Sequence, residues 1–259
     1  MREFVRKVLG TTEGSVGIEL FHIWHILYIA IIVGTAIGLA IWLKKKDTQT
    51  KTKVLSILAI ILPSLYILDL FLMPLAGVSY GGFIDKLPFH ICTFMGIWVP
   101  FAQFNKKFAP IKDVIAILTL VSSIMYITYP GSAIGADYLP WCYKVVQTFM
   151  FHGTMLIWGF LSITTKSIEM DIRKCWKEAV GLVVVAVWAA IGNYFYYEFN
   201  GSSSYDWFFI TGSTFPFVPT PLMPFAVIAA VFGMVMIIYG LYYLVRHIML
   251  KNEEKKANQ

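Results

Sequence analysis

The sequence predicts an all-α polytopic membrane protein: a bundle of seven transmembrane helices forming a single domain over residues 1–259. Three observations lead there. Apolar residues make up 58% of the chain and charged residues only 14%, against about 25% charged in an average soluble domain. Seven apolar runs lie near or above the roughly 20 residues that cross a bilayer as helix. The basic residues also alternate between connections. The first, third and fifth loops and the C-terminal tail hold 16 of the 21 Lys and Arg, leaving only Arg2, Arg6, Lys7, Lys86 and Lys144 elsewhere. Positive charge marks the cytoplasmic side. The expected protein is therefore multi-pass in the cell membrane, with its N-terminus outside and its C-terminus cytoplasmic. The net charge of +6 follows from this loop bias and gives no sign of nucleic-acid binding. Met1 to Ser15 lacks the apolar core of a cleavable signal.

The spans follow in order. A short polar lead-in precedes the first, about 18–43, which Lys44-Lys45-Lys46-Asp47 closes. The second, about 54–75, runs from the end of that basic loop to a Gly-rich loop, Gly77 to Lys86. The third, about 87–104, opens with Leu87-Pro88 and stops at Asn105-Lys106-Lys107; proline is tolerated at a first helical position because that N–H is unpaired anyway. The fourth, about 111–129, ends at Pro130-Gly131. The fifth, about 139–163, is followed by a charged loop from Lys166 to Glu178. The sixth, about 179–199, leads into a polar loop from Asn200 to Pro221. The seventh, about 222–248, leaves Lys251 to Gln259 as a frayed, solvated tail.

With that topology the polar residues cluster by depth. His22 and His25, Asp69, His90 and Cys92, Ser122, Ser123, Tyr126 and Thr128, Gln147 and His152, and Asn193 and Glu198 fall in the outer halves of their spans or near the midplane. The inner halves read as nearly pure hydrocarbon. A channel needs polar groups at both depths, so this asymmetry predicts one polar pocket in the outer half of the bundle.

Each candidate has a functional and a plain structural reading. Cys92 follows Leu87-Pro88-Phe89-His90-Ile91 at a helix N-terminus, where the dipole favours a thiolate; alternatively it is an inert buried thiol, or is bonded to Cys142. Three cysteines, an odd number at wide spacing, do not make a disulfide framework or a zinc site, and no metal or cofactor is expected. His90 lies two residues from Cys92, nearly opposite it on a regular helix. His152 is better directed as a base, although it lies about 9 Å deeper by residue count; alternatively His152-Gly153 is interhelical glue. Asp69 needs a cation, a donor or a proton inside a span, and is the candidate orienter of His152. His22 and His25 share a helical face, either lining the pocket or bonding loop carbonyls. Gln147 and Asn193 are supporting candidates. The tyrosines and tryptophans at span ends read as interfacial belt.

Leu87-Pro88-Phe89-His90-Ile91-Cys92, Tyr129-Pro130, Phe151-His152-Gly153 and Asn193-Tyr194 before a proline-rich loop resemble the YwaF-type bacterial integral membrane family, related to the transmembrane protein 164 acyltransferases. The resemblance runs from the first span to the seventh. It implies a multispanning enzyme that moves a fatty acyl chain between membrane phospholipids, with Cys92 as acyl carrier and His152 as base. The loop from Asn200 to Pro221 departs from the family form in being longer and rich in serine and phenylalanine. Oxyanion donors would be the free N–H groups opening the third span, or Asn193. Two other readings stay open. A non-catalytic binder or transporter of a small amphiphile explains the same pocket, without the internal repeat or interrupted helices usual in transporters. A lipid hydrolase would use the same nucleophile with water as acceptor.

Overall fold

The computed structural model describes residues 4, 8–9, 18–75, 87–131, 133, 139–200, 206–209 and 217–257. The expectations for the Gly-rich second loop and for most of the Asn200–Pro221 loop lie outside those residues. Seven α-helices are described: α1, Ile23–Leu43; α2, Thr48–Leu75; α3, Ile91–Phe104; α4, Lys112–Thr128; α5, Tyr143–Thr164; α6, Trp176–Asn200; and α7, Met223–Ala257. Six are long and apolar enough to cross a membrane. The exception, α3, has 14 residues and spans only about 21 Å.

The helix ends show which local signals act. The start of α2 lies six residues before the expected one because Asp47 caps it, its Oδ1 accepting the Thr50 N–H at 3.3 Å. The start of α4 is preceded by a 3-10 turn, Lys106–Ile111, where Asn105 accepts the Lys107 N–H. Its end at Thr128 reflects Pro130, which holds Tyr129 out of the α region at φ −135 and ψ 82. Asp171 caps the 3-10 turn Ile172–Lys174 that leads into α6. The tail expected to fray is solvated, but α7 continues to Ala257; Lys, Glu and Ala are good helix formers that need no tertiary support to extend a helix already nucleated.

Helix α3 departs most from expectation. It begins at Ile91, with His90 as N-cap in extended geometry (φ −72, ψ 146). Pro88 therefore precedes the helix by three residues. A helix starting at Leu87 would need the Pro88 carbonyl for the Cys92 N–H. That carbonyl instead accepts the Trp188 indole N–H at 2.8 Å, which ties the lead-in of α3 to α6.

Helices α4 and α5 form the centre. About 56% of the α4 span and 67% of the α5 span are buried, against 17–33% for the other four long helices. Every residue from Val114 to Ser123 is buried, so α4 is enclosed on all sides, by α3, α5, α6 and α7. Helix α5 packs on α1, α2 and α4. Most of the large apolar side chains left exposed on the helices, such as Ile31, Ile60, Val184 and Ile237, lie on α1, α2, α6 and α7, the surfaces a bilayer would cover.

The α4–α5 crossing depends on Gly159. A Cβ there would lie 2.9 Å from the Ala116 carbonyl oxygen and 2.9 Å from Leu120 Cβ, while one at Gly34 meets nothing within 4 Å. Gly159→Ala is expected to destabilise the fold by about 1–3 kcal/mol through overpacking. Thermal unfolding in detergent should show a lowered midpoint for G159A and an unchanged one for G34A.

Candidate active site

The lead-in 87–90 and the first turn of α3 carry the chemistry-bearing groups, and α4 gathers partners around them. The thiol of half-buried Cys92 points at the Ser122 carbonyl on α4, with Sγ to O at 3.7 Å. A carbonyl can only accept, so the resting sulfur faces it through its proton. One turn along the same face of α4, the Tyr126 ring stacks on His152 of α5, centroids 3.5 Å apart and planes within 7°. Ser122 and Tyr126 are four residues apart, about 6 Å along the axis. They bring to one face of α4 two side chains that come from α3 and α5.

A direct contact between α3 and α5 fixes the same register. Gly96, one turn after Cys92, faces Phe151, the residue before His152; a Cβ at Gly96 would lie 2.7 Å from the Phe151 ring. Cys92 and His152 thus meet α4 about one turn apart. Both lean toward the N-terminal ends of α3 and α5, because helical side chains tilt toward the N-terminus of their own helix.

The tautomer of His152 follows from its partner. Nδ1 lies 2.8 Å from the Thr148 carbonyl oxygen, so Nδ1 carries the proton and Nε2 presents a lone pair. A neutral imidazole with a free Nε2 is the form a general base needs. Tyr126 is itself held, its hydroxyl 3.2 Å from Thr148 Oγ1.

His90 is exposed beside this pair, its ring edge-on to Trp207 at 6.3 Å. Because His90 is the N-cap, helical spacing does not set its direction. The first helical hydrogen bond of α3 runs from the Phe94 N–H to the His90 carbonyl, 2.9 Å. The N–H groups of Ile91, Cys92 and Thr93 precede that ladder and point outward.

Several expected site residues serve other purposes. Asp69 is buried, but its Oδ2 meets Lys144 Nζ at 3.7 Å, and the ring nitrogen it was expected to hold is taken by Thr148. Asn193 is engaged with the 206–207 segment: its Oδ1 accepts the Trp207 N–H at 2.8 Å and its Nδ2 faces Asp206 and the Trp207 carbonyl. It positions Trp207, and through it Phe89 and His90. Gln147 donates to the Leu65 carbonyl at 3.4 Å, joining α5 to α2. His25 is fully buried, with Nε2 on the Ile127 carbonyl at 2.8 Å and Nδ1 accepting the Phe21 N–H at 3.0 Å. Both its nitrogens are engaged. His22 is the exposed N-cap of α1, so the two histidines do not share a face. Gly153 packs on Ile32 of α1, as the glue reading expects of the glycine. Cys92 and Cys142 are both free thiols. Among the described residues no group of His, Cys, Asp and Glu is placed to hold a metal.

A model of the TMEM164 family matches residues 20–244. The chain belongs to the TMEM164 family. The match spans the described bundle from the start of α1 to within α7, and so includes Cys92, His152 and the elements that hold them. No curated protein and no solved structure matches the chain. Membership agrees with the six membrane-length helices: this TMEM164-family chain is a multi-pass membrane protein.

Ser122 and Tyr126, read from the sequence as polar residues of the outer half, take their place at the site as the partners of Cys92 and His152. Thr148 and Trp207 join it with no expectation attached to them. Trp207 arrives through a loop and left no signal.

The ion pair gives a direct test of the reassigned aspartate. Asp69→Asn leaves Lys144 without its carboxylate and should lower stability by of order 2 kcal/mol. The double variant D69N/K144M should recover part of that loss in a detergent melt. If Asp69 oriented His152 instead, the second substitution would restore nothing.

Proposed function

We propose that the chain is a membrane-embedded lipid acyltransferase working through a thioester on Cys92. The observation that carries this reading is the pairing around α4: a thiol and a neutral imidazole with a free Nε2, on one face and one turn apart. Membership of the TMEM164 family supports it, and the bacterial YwaF-type branch is the proposed finer placement. The proposed topology is seven spans in the cell membrane, N-terminus outside and C-terminus cytoplasmic. In it α3 crosses as a short helix plus the extended lead-in 87–90, and the site opens to the outer leaflet.

The reaction divides into two half-steps. In the first, His152 Nε2 takes the Cys92 proton and the sulfur attacks the ester carbonyl carbon of a phospholipid. The N–H groups of Ile91, Cys92 and Thr93 are the donors for the tetrahedral oxyanion. As the intermediate collapses, the C–O bond breaks and His152 returns its proton to the departing lysolipid alkoxide, leaving an acyl thioester. In the second, the hydroxyl of an acceptor lipid loses its proton to His152 and attacks the thioester, and the thiolate leaves and is reprotonated. Thr148 holds the base in the productive tautomer, and Tyr126 holds its plane. Water in place of the acceptor would give a hydrolase with the same first half-step.

The test is intact mass of the purified protein after incubation with defined phospholipids. Wild type should gain an acyl-sized adduct that hydroxylamine removes, and C92A should gain none. His152→Gln should form the adduct at least ~100-fold more slowly. No adduct on wild type, with lipid bound equally by wild type and C92A, would overturn the proposal in favour of a non-catalytic amphiphile binder. Released free fatty acid without a second acylated lipid would identify the hydrolase.

A further inference from the structure

At the other end of the bundle is a cavity of about 590 Å³. It lies where the end of α3, the 3-10 turn before α4 and the loop between α5 and α6 converge, and it is lined in part by Lys106, Lys112, Lys174 and Lys177. Phe104, at its rim, is 12 residues along α3 from Cys92, about 18 Å by helix rise. None of Cys92, His90, Tyr126 or His152 lines it.

The lysines are unequally neutralised. Lys177 meets Asp113 at 3.5 Å, and Lys174 meets Glu169 at 3.7 Å and Asp171 at 3.8 Å. Lys112 and Lys106 have no carboxylate partner among the described residues. The Lys112 ammonium is half-buried and turned to the Ser167 hydroxyl, 2.8 Å away, which itself lines the cavity. A hydroxyl does not compensate a partly desolvated ammonium, which calls for an anion. Gln103 lines the same cavity and donates through Nε2 to Ser56 Oγ at 3.2 Å, which joins this end of α3 to α2.

The geometry points to a binding site for a phosphate group of net negative charge, which meets Lys112 and Lys106 beside the Ser167 hydroxyl. Such a group is presented by an anionic lipid headgroup, as in phosphatidylglycerol, or by a free polyol phosphate. The site is independent of the thioester chemistry, because its residues and its test are both separate from it.

The experiment is binding to full-length protein, wild type and C92A, in uncharged detergent. The probes are glycerol phosphate, short-chain phosphatidylglycerol and, as control, short-chain phosphatidylcholine, each read by shift in thermal midpoint and by titration. Phosphatidylglycerol should stabilise both proteins saturably and phosphatidylcholine should not. Glycerol phosphate acting as well identifies the headgroup alone as sufficient; phosphatidylglycerol acting alone identifies a lipid as the source. Lys112→Gln should weaken binding about tenfold or more, the range for hydrogen bonds to a charged group. Lys106→Gln is exposed and makes no described contact, so it keeps the test valid if K112Q does not fold; it should weaken binding in the same direction. No saturable shift with either phosphoglycerol probe, or binding unchanged in both variants, overturns the proposal. Failure of Cys92 to form a thioester leaves it untouched.

Discussion

The hydrogen bond from the Trp188 indole to the Pro88 carbonyl, 2.8 Å long, sits where α6 crosses the lead-in to α3. It engages the carbonyl that a helix starting at Leu87 would have used internally, and it holds the extended lead-in against α6. Everything at the candidate site is referred to that point. With Ile91 as the first helical residue, Cys92 comes to the Ser122 carbonyl, Gly96 comes under Phe151, and His90 becomes a cap with freedom to approach its neighbours. Phe89 secures the arrangement from the other side, packed between Trp188 and Trp207. Gly192 leaves room for it, since a Cβ there would overlap the Phe89 ring.

A second constraint acts throughout the bundle. Polar side chains in a low-dielectric interior need partners, and the nearest acceptors are backbone carbonyls. His25, Gln147, Ser122, Ser123 and Ser162 all follow this pattern, as does Tyr28 on Pro140. The same rule fixes the tautomer of His152. It binds Thr148 through Nδ1 and leaves Nε2 free, whereas His25 is engaged at both nitrogens. Two buried histidines thus differ by one hydrogen bond in what they present to their surroundings.

The two ends of the bundle differ in kind. The Cys92 end combines aromatic rings, a thiol and imidazoles. The opposite end, expected to be hydrocarbon within the helices, holds a buried carboxylate: Glu178, whose Oε1 accepts the Tyr239 hydroxyl at 3.2 Å. The density of charge from Lys166 to Glu178 reads as a loop that ends at Glu178. Helix α6 starts at Trp176, which draws Glu178 into its first turn and under α7. The lysine-lined cavity arises at this end for the same reason: short 3-10 turns fold the basic loops back onto the helix ends instead of leaving them in solvent.

Composition and hydrophobic run length determined the all-helical class and six of the helices as membrane-length, because a bilayer permits few other solutions for such a chain. The Leu87–Cys92 stretch, His152 and the phenylalanine before it were legible as well, since polar groups among apolar residues stand out along the chain. Partners were not legible. That Asp69 meets Lys144, that Asn193 holds Trp207 and that His25 caps Ile127 depend on which helices touch and at what register. Register in turn is set by the close approaches at Gly96, Gly159 and Gly192 and by the indole bond to Pro88. These are long-range contacts between apolar segments whose sequences are nearly interchangeable in hydropathy. Sequence alone therefore marked which groups were chemically unusual, and only packing decided which of them face one another.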